Sequence, residues 1–562
     1  MAAARNAEGR RRLDPSDDTD GGVDMINTDG GADLISRLCD DVLLRILRLL
    51  PNAEDVVRTG ALSRRWRHLW RRAPVLHFRD RAGGDSGRFV SFVDGVLARR
   101  DDAVIEHLAI SSSVFSDVVD FLFDDTATAA VNGWIRYGMQ RVAKSFALTL
   151  QPATMAMAIL DVLAVLPGSA RLETVSLDMG RAYLFGLPSA AAPLFGSLTD
   201  LALANVHVGD VGGDLLRRLF SPACCPRLKK LRLHRISGAP EKLVVDSGEL
   251  LELSMSWIVR EEQEHQLPQL EIKIETPRLR VLRINHIYSI SKLMISAPRT
   301  EELKLTFLSM FAYEVDAGEM PCVRELNDVV LHLLRLPQEP SLIVHEHPSS
   351  IFRCCKFLRR LQLRLHLYEG KEYNEDTIVD MMTDIPQLQH LTYLSVQFSG
   401  PIECGLVAIT AHLLSQCKFL KHLELDIRRC RPGGPEIPLS ESENGHGIIL
   451  LENLQEISIT NIHLRDYEVR LLKFLHASSP ALEKMKVTFL YVDCEKLESL
   501  GMKTCEEFLL SIANPKEGKC VLCNSSRWMS SYEWMPKQWY LFKNGKNALS
   551  SQCLRDVIFF YN

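Results

Sequence analysis

The sequence lacks the long apolar runs and the short catalytic motifs that would place it in a membrane or an enzyme class. No apolar stretch approaches the ~20 residues that a membrane-spanning helix needs, and no secretory signal stands ahead of the cysteines. There is no glycine-rich phosphate loop with lysine and serine or threonine, no G-x-G-x-x-G and no G-x-S-x-G elbow. We therefore expect a soluble intracellular protein without an active site of its own.

Charge and cysteine content exclude further classes. The net charge of -5 gives no general attraction to nucleic acid or to an anionic membrane, so neither is expected as a partner. The chain has 14 cysteines in 562 residues, which is a modest fraction. Free buried thiols in a reducing compartment are therefore favoured over a disulfide framework. The expected location is the cytoplasm, the nucleus or both.

Candidate metal ligands are sparse in the sequence. Cys520 and Cys523 have the spacing of half a zinc knuckle, but a structural site usually needs four ligands and the other C-terminal cysteines are irregularly spaced. His345 and His347 flank a glutamate, yet adjacent positions point apart on a strand, and no further ligand cluster lies nearby. Ordinary thiols and surface histidines are the favoured interpretation, and we expect neither a metal nor a cofactor.

A short helical unit precedes several hundred residues in which the apolar side chains have a different spacing. It runs from Leu34 to Trp70, with Asp40 as the expected N-cap of its first helix and Pro51 as the helix stop. Apolar residues recur at helical spacing in that first helix: Val42, Leu43, Ile46, Leu47 and Leu50. Further helices are predicted around Val56 and Val57 and from about Ser63 to Trp70. Three helices in so few residues cannot bury all of these side chains, so a partner protein is expected.

This unit resembles the F-box of plant ubiquitin-ligase receptors. The matching residues are Leu38, Asp40, Asp41, Val42, Leu43, Leu44, Ile46, Leu47, Pro51, Val56, Leu62, Ser63, Arg64, Arg65, Trp66, Leu69 and Trp70. Cys39 departs from the family, which usually has proline after the first leucine. The resemblance implies docking onto the adaptor of an SCF (Skp, cullin, F-box) complex, the S-phase kinase-associated protein, and through it to cullin. The residues expected in the adaptor interface or the F-box core, without a division between these roles, are Leu38, Val42, Leu43, Ile46, Leu47, Pro51 and Trp66.

A leucine repeat follows the helical unit. Its signature is a polar turn, a leucine, two variable residues and an alternating aliphatic pair, as in CPRLKKLRLHRI from Cys225 and CKFLKHLELDI from Cys417. The pairs expected at equivalent strand positions are Leu231/Leu233, Leu282/Ile284, Leu361/Leu363, Leu423/Leu425, Ile457/Ile459 and Met485/Val487. Recurrence of such half-buried strands at roughly twenty to thirty-five residues indicates a leucine-rich solenoid. The asparagine ladder of regular repeats is poorly kept, with Asn205 and Asn461 near that position, so uneven helical backs are expected.

Near the C-terminus, Leu451 to Phe489 resembles the FBD region of many plant F-box/leucine-rich-repeat proteins. In physical terms it is a strand, an amphipathic helix and a strand, which would close the open end of the solenoid. The expected divisions are a disordered leader at 1–32, an F-box at 33–78, leucine-rich repeats at 100–445, FBD-like terminal repeats at 446–515 and an irregular tail at 516–562.

The expected fold is α/β: an N-terminal three-helix F-box followed by an irregular leucine-rich-repeat solenoid with a curved parallel sheet. The resemblance implies a non-catalytic substrate-recognition subunit of an SCF-type E3 ubiquitin ligase, with an unknown target protein held by the repeats. One alternative is a leucine-rich-repeat scaffold without ubiquitin-ligase activity, favoured by Cys39 and the atypical tail. Another is a sensor that holds a small molecule in the repeat concavity. An enzyme is the least favoured reading.

Overall fold

The structure is a computed structural model. It describes residues 35, 37–80, 86–101, 104–112, 125–150, 160–187, 193–208, 212–260, 270–287, 290–306, 314–333, 350–367, 385–400, 406–428, 449–462, 466–491, 518–524, 532–535, 538–541 and 553–561. The predicted leader at 1–32, together with His345 and His347, lies outside the described residues.

The first helices pack around a small apolar centre. They are α1 (Asp40–Arg48), α2 (Ala53–Arg58) and α3 (Arg64–Leu69), with 3₁₀ turns at Thr59–Ala61 and Trp70–Arg72. The three predicted helices are therefore confirmed. Leu43, Leu47, Val56, Trp66 and Leu69 are buried in one cluster with the first strand of the sheet. The helical unit is consequently continuous with the core of the solenoid.

The start of α1 differs from the prediction. Cys39, not Asp40, is the N-cap residue, and its side chain makes no capping hydrogen bond. The guanidinium of Arg65, on α3, instead donates to Asp40 Oδ1 from Nε at 2.9 Å and from Nη2 at 2.6 Å. The same Nη2 donates to the carbonyl oxygen of Leu38 at 2.6 Å. Arg65 thus fixes the segment around Cys39, where a proline would otherwise restrict the backbone.

A sheet of twenty described strands dominates the fold. Strands are numbered along the chain, and β8, β10, β12 and β14 belong to a second sheet. The main sheet contains β1 (Val75–Arg79), β2 (Ile105–Ser112), β3 (Val142–Leu150), β4 (Leu160–Val165), β5 (Thr174–Gly186), β6 (Asp200–His207), β7 (Lys230–Ser237), β9 (Glu252–Ile258), β11 (Val281–Asn285), β13 (Glu302–Thr306), β15 (Glu325–Leu333), β16 (Arg360–Leu367), β17 (Tyr393–Ser399), β18 (His422–Arg428), β19 (Glu456–Ile462), β20 (Lys484–Tyr491), β21 (Gly518–Asn524), β22 (Tyr532–Met535), β23 (Gln538–Leu541) and β24 (Cys553–Tyr561).

The strands β1 to β20 of this sheet run parallel. Each is paired with the strand of the next turn, except that β3 pairs with β5 and β4 pairs with the later part of β5. Leu231 of β7 stands in register with Leu253 of β9, which stands in register with Leu282 of β11. Farther along, Leu423 aligns with Ile457. The predicted strand positions are therefore confirmed, and their side chains are buried. The β1 strand begins the sheet inside the range predicted for the F-box alone, so the two units share it.

Four shorter strands form the back of the middle turns. They are β8 (Lys242–Asp246), β10 (Leu270–Glu275), β12 (Ile290–Ser296) and β14 (Glu314–Ala317), all parallel. Leu243, Ile272, Leu293 and Val315 align across this second sheet and are buried against the first. The expectation of helical backs is therefore wrong for these turns, because sequences such as LEIKIE alternate with period two rather than at helical spacing.

Helices lie behind several of the other described turns. They are α4 (Ser86–Ala98), α5 (Asp125–Arg141), α6 (Gly212–Leu219), α7 (Ser350–Cys354), α8 (Leu406–Ser415) and α9 (Asp466–Ser478). The α5 helix lies close to β3, because a Cβ atom added at Gly138 would come within 2.5 Å of the Phe146 ring. The FBD-like region contains β19, α9 and β20, which confirms the predicted order of strand, helix and strand.

The C-terminal end of the sheet departs from the expectation of an irregular tail. The β24 strand pairs antiparallel with β20 and also with β21, and β22 and β23 extend the sheet farther. The FBD-like region therefore does not close the solenoid; the tail adds strands beyond it. The run DVIFFY, at 556–561, is rich in β-branched and aromatic residues and suits such a strand.

Backbone hydrogen bonds join successive turns just before their strands begin: the carbonyl oxygen of the residue that precedes a strand accepts from two successive amides of the next turn. Lys229 O accepts hydrogen bonds from the amides of Leu251 and Glu252 at 2.8 and 2.9 Å. The same arrangement recurs as far as Gln455 O, which accepts from Glu483 and Lys484 at 2.8 and 3.0 Å. Its first occurrence is at Pro74 O, directly after the F-box helices, which accepts from residues 106 and 107 at 2.8 and 3.1 Å.

Replacing Leu43 with alanine is expected to lower the free energy of unfolding of the F-box helices by about 2–5 kcal/mol, since Leu43 is completely buried. The matched change Leu49→Ala removes a side chain that is 82% exposed, so a loss below about 1 kcal/mol is expected. Native-state hydrogen exchange of the α1, α2 and α3 amides measures both. Equal effects of the two substitutions would contradict the assignment of Leu43 to the core.

Candidate functional sites: an exposed F-box surface and the open face of the sheet

The structure divides the predicted F-box residues between core and surface. Leu43, Leu47 and Trp66 are buried, Leu38 and Val42 are half-buried, and Ile46 and Pro51 are exposed. The sequence predicts these residues for the adaptor interface or the F-box core without assigning either role to any one of them. The buried members cannot contact another protein without unfolding the unit, so only the half-buried and exposed members are available for binding.

Additional apolar side chains of the F-box are exposed. Leu49 is 82% exposed, Leu62 is 68% exposed and Ile35 is 55% exposed. Leu49 follows Ile46 by three residues, which places it on the same side of α1. Leu49 and Ile35 are not among the residues predicted from the sequence, and Leu62 was matched to the F-box without a binding role. The sequence does contain a signal for Leu49: two adjacent leucines at a helix end point in different directions, so they cannot both pack on the core. In the structure only Leu50 does.

We use the name F-box apolar surface for Ile35, Ile46, Leu49 and Leu62. Four of the nine exposed large hydrophobic side chains among the described residues belong to this small unit. Single exposed apolar residues are ordinary on protein surfaces, but such a concentration is typical of a protein-binding surface. Its neighbours Arg45 and Arg48 are exposed and basic. The surface can therefore bury apolar area and offer charge-assisted contacts at its rim.

The second candidate site is the open face of the main sheet, opposite the buried leucines. Its side chains stand in rows because the strands are in register. One row contains Ser176, Ala202, Arg232, Ser254, Arg283, Lys304 and Asn327. After a register shift between β15 and β16, a second row contains Gln362, Ser395, Glu424, Ser458 and Lys486. These residues are half-buried or exposed, whereas their neighbours in each strand are buried. None of them is needed to fill the core.

Ion pairs between neighbouring strands organise part of the open face. Lys230 Nζ lies 2.9 Å from Glu252 Oε1, and Arg283 Nη2 lies 2.8 Å from Glu302 Oε1. Each of these side chains is more than a third exposed, so the pairs contribute little to stability. Arg232, in contrast, is exposed and forms no ion pair within the described part of the chain. It is a cation available to a bound protein.

An aromatic contact marks another part of the open face. The Arg360 guanidinium lies over the Tyr393 ring at 3.8 Å from its centroid. Burial, followed by a hydrogen bond to Glu424, raises the pKa of the Tyr393 phenol to about 12. The phenol is therefore neutral at physiological pH and donates to Glu424.

Residues in the left-handed region line one edge of this face. Asn205 and Asn461 have φ values of 51° and 67°, and each donates a hydrogen bond to an aspartate of the preceding strand. At the same place in neighbouring turns stand Arg235, Trp257 and His286, with φ values of 52°, 56° and 50°. The Trp257 and His286 rings are stacked with centroids 5.0 Å apart. Asparagine tolerates this conformation, whereas a bulky residue there costs of order 1–3 kcal/mol.

The described residues contain no cluster of three or more histidine, cysteine, aspartate or glutamate side chains suited to a metal ion. Cys224 and Cys225 are buried, and a hydrogen bond that the Cys225 thiol donates to Cys224, together with burial, raises the pKa of Cys225. Among the described helices, none is long and apolar enough to cross a membrane.

Comparison with known proteins assigns residues 35–78 to the F-box domain. A putative FBD-associated F-box protein of Arabidopsis thaliana is 52% identical over 75 residues, 13% of this chain and 18% of that protein. An F-box/FBD/LRR-repeat protein of the same plant is 30% identical over 217 residues, 37% of this chain and 45% of that protein. A putative F-box/LRR-repeat protein of the same plant is 27% identical over 402 residues, 69% and 76% of the two chains.

The chain spans less than half the length of the first relatives it matches, 18% of one and 42% of the next. The relatives nevertheless combine in their names the features that the structure shows in order: an F-box, a leucine-rich parallel sheet and an FBD-like region. The chain therefore carries an F-box domain at residues 35–78 and, beyond it, is similar to plant F-box/leucine-rich-repeat proteins, several of them named for an FBD region.

Proposed function

We propose that this protein is the substrate-recognition subunit of an SCF-type E3 ubiquitin ligase. The observation that carries the proposal is the F-box apolar surface on a folded unit identified as an F-box domain. This surface binds the adaptor, the S-phase kinase-associated protein, and through it cullin. The open face of the sheet holds a target protein. The chain performs no ubiquitin chemistry itself, and it acts in the cytoplasm, the nucleus or both.

The mechanism is proximity. A target held on the open face presents its lysines to a charged ubiquitin carrier on the same complex, so a dilute encounter becomes a local one. This requires a stiff connection between the two binding surfaces. Pro74 O joins the end of the F-box unit to β2, and Arg48 of α1 lies 3.6 Å from Glu106 of β2. These contacts support a fixed orientation of the F-box relative to the sheet.

The target surface is best supported around β7, β9 and β11. Arg232, on β7, is exposed and forms no ion pair within the described residues. The stacked rings of Trp257 and His286 lie on the next strand, β9, and directly after the one that follows it, β11. Tryptophan and arginine are the residues that most often dominate protein–protein binding energy. Strained residues also gather at functional sites, where a need other than stability retains them.

The competing proposal is a leucine-rich-repeat scaffold without ligase activity. The F-box start at Cys39 is the observation that favours it, since the residue stands at the N-cap without capping α1. The Arg65 contacts to Asp40 and Leu38 argue against a collapsed F-box, because they hold that segment in place. Adaptor binding decides between the two proposals.

For the adaptor surface, the double variant Ile46→Asp/Leu49→Asp is expected to weaken adaptor binding at least about a hundredfold, because two unpaired carboxylates would enter an apolar contact. Both side chains are already exposed, so the F-box should remain folded. The matched control is Phe419→Asp/Leu450→Asp, two exposed apolar residues of the repeats, and it should bind as the native chain does. Calorimetry with purified adaptor measures all three proteins.

Native binding that survives Ile46→Asp/Leu49→Asp would move the adaptor site elsewhere. A folded native chain that does not bind any adaptor would favour the scaffold. Leu43→Asp is unsuitable for this test, because Leu43 is completely buried and its loss would unfold the unit.

For the target surface, Ala202→Arg/Ser254→Arg places two bulky cations on the open face and is expected to abolish target ubiquitination in plant cells while adaptor binding persists. The control Glu452→Arg/Ala481→Arg puts the same side chains at exposed positions before strands β19 and β20. Quantitative mass spectrometry of ubiquitin-remnant peptides reads out the targets. Targets that depend on the F-box apolar surface but are indifferent to Ala202→Arg/Ser254→Arg would place target binding off the open face.

A further inference from the structure

A row of exposed side chains follows the edge of the main sheet at which the strands begin. Phe357, His390 and Phe419 occupy the same place in three successive turns, each directly before a buried leucine. In each turn the amide of that leucine donates to the carbonyl oxygen three residues earlier, at 3.2 or 3.3 Å. Phe357 is 43% exposed and Phe419 is 54% exposed. Neither phenylalanine is needed to fill the core.

The Phe357 ring lies between groups of the two neighbouring turns. The Arg324 guanidinium, from the preceding turn, lies 5.3 Å from the ring centroid, and its Nη1 donates to the carbonyl oxygen of Pro321 at 2.8 Å. The His390 ring, from the following turn, is stacked on Phe357 with centroids 5.3 Å apart. Because β15 and β17 flank β16 on opposite sides, both faces of the Phe357 ring are covered. Phe357 therefore presents its edge to solvent, and the edge of an aromatic ring carries partial positive charge.

The same turns carry an excess of cationic side chains. The segments that lead into β15, β16, β17 and β18 contain five lysine or arginine residues and one carboxylate, Glu319. These segments are 319–324, 354–359, 387–392 and 416–421. Glu319 is already paired with Lys356, at 2.7 Å. The remaining cations are exposed and form no ion pair within the described part of the chain: Arg324, Arg359, Lys418 and Lys421. In a chain of net charge -5, such a local excess favours a negatively charged partner.

We propose that this edge binds an acidic, extended segment of a partner protein. We use the name basic aromatic edge for Arg324, Phe357, His390, Lys418, Phe419 and Lys421. Carboxylates of the segment pair with the cations, and one of its oxygens contacts the positive edge of the Phe357 ring. An apolar side chain of the segment packs on Phe419. Binding here requires neither the F-box apolar surface nor the open face of the sheet.

The dimensions of the basic aromatic edge suit an extended segment. Four neighbouring strands span about 14 Å at ~4.8 Å per strand, and an extended chain covers that distance with about four residues. Single-stranded nucleic acid is the other polyanion that cations and aromatic rings attract. It is disfavoured here because bases stack on ring faces, and both faces of the Phe357 ring are occupied.

Binding of a synthetic peptide to the full chain tests the proposal. The probe is a fluorescein-labelled peptide with acidic residues on both sides of one leucine, and fluorescence anisotropy follows its binding. Saturable binding is expected, and it should weaken as sodium chloride is added, because the contacts are exposed charge pairs. Neither the same peptide with lysine in place of each acidic residue nor oligouridine of the same length should displace it.

A charge-reversed variant tests the cations. Lys418→Glu/Lys421→Glu is expected to weaken peptide binding about tenfold or more, because the acidic residues of the peptide then meet like charges. The matched control is Arg227→Glu/Lys229→Glu, which makes the same change of net charge at exposed positions of the equivalent turn before β7. It should bind as the native chain does. All of these side chains are exposed, so both variants should melt at the temperature of the native chain.

A second pair of variants tests the aromatic contact. Phe419→Ser is expected to weaken peptide binding about three- to tenfold, the usual effect of losing an aromatic contact. Leu450→Ser is the matched control, because Leu450 is also exposed, at 57%, and lies outside the basic aromatic edge. It should leave the affinity unchanged.

Three results would overturn the proposal: no saturable binding of the acidic peptide, its displacement by oligouridine, or equal weakening by the two charge-reversed variants. Equal binding by Phe419→Ser and Leu450→Ser would overturn it as well, because a general attraction between opposite charges would then account for the binding.

Discussion

The hydrogen bonds from one carbonyl oxygen to two successive amides of the next turn set the register of the whole solenoid. They recur from Pro74 to Gln455, just before the strands, and each places the following leucines directly beside those of the previous turn. A shift by one residue would exchange buried leucines for polar side chains. Where the register does shift, between Leu326 and Val329 of β15, both residues remain buried. Turns of different length, including those that lack a helix, therefore enter the same sheet at the same position.

This constraint separates the residues that build the fold from those left free for binding. Leucine, isoleucine and valine point to the core, and the alternate positions point outward in rows whose composition the core does not restrict. The F-box is joined to the same framework because Pro74 O forms the first of these links. An F-box mounted directly on β1 has little freedom to swing relative to the sheet, so the distance between its surface and the open face of the sheet is set by the fold and not by a linker.

The repeat phrasing in the sequence predicted the parallel sheet and its buried positions well, because period-two alternation reports directly on which side chains are buried. It did not predict β8, β10, β12 and β14, since these segments lack the motif of a polar turn, a leucine, two variable residues and an aliphatic pair. In the F-box, helical spacing identified the apolar residues but could not show which of Ile46 and Leu47 is buried. Both are aliphatic, and only the packing of α1 on α3 and β1 makes one exposed and the other buried. The Arg65 contact to Asp40 spans twenty-five residues and has no local sequence signal.

The turns that have β8, β10, β12 or β14 behind the main sheet bear on where a target binds. Neighbouring strands are about 4.8 Å apart, whereas packed helices are 8–10 Å apart. A turn with a helix behind its strand is wider at the back, and a stack of such turns must curve. Between β7 and β15 both faces are built from strands of equal spacing, so this part of the sheet has no such reason to curve. Arg235, Trp257 and His286 lie in this stretch, in a backbone conformation that disfavours their side chains. A surface with less reason to curve offers such residues to a partner more openly than a concave one, so the middle of the solenoid is the stronger candidate for target recognition.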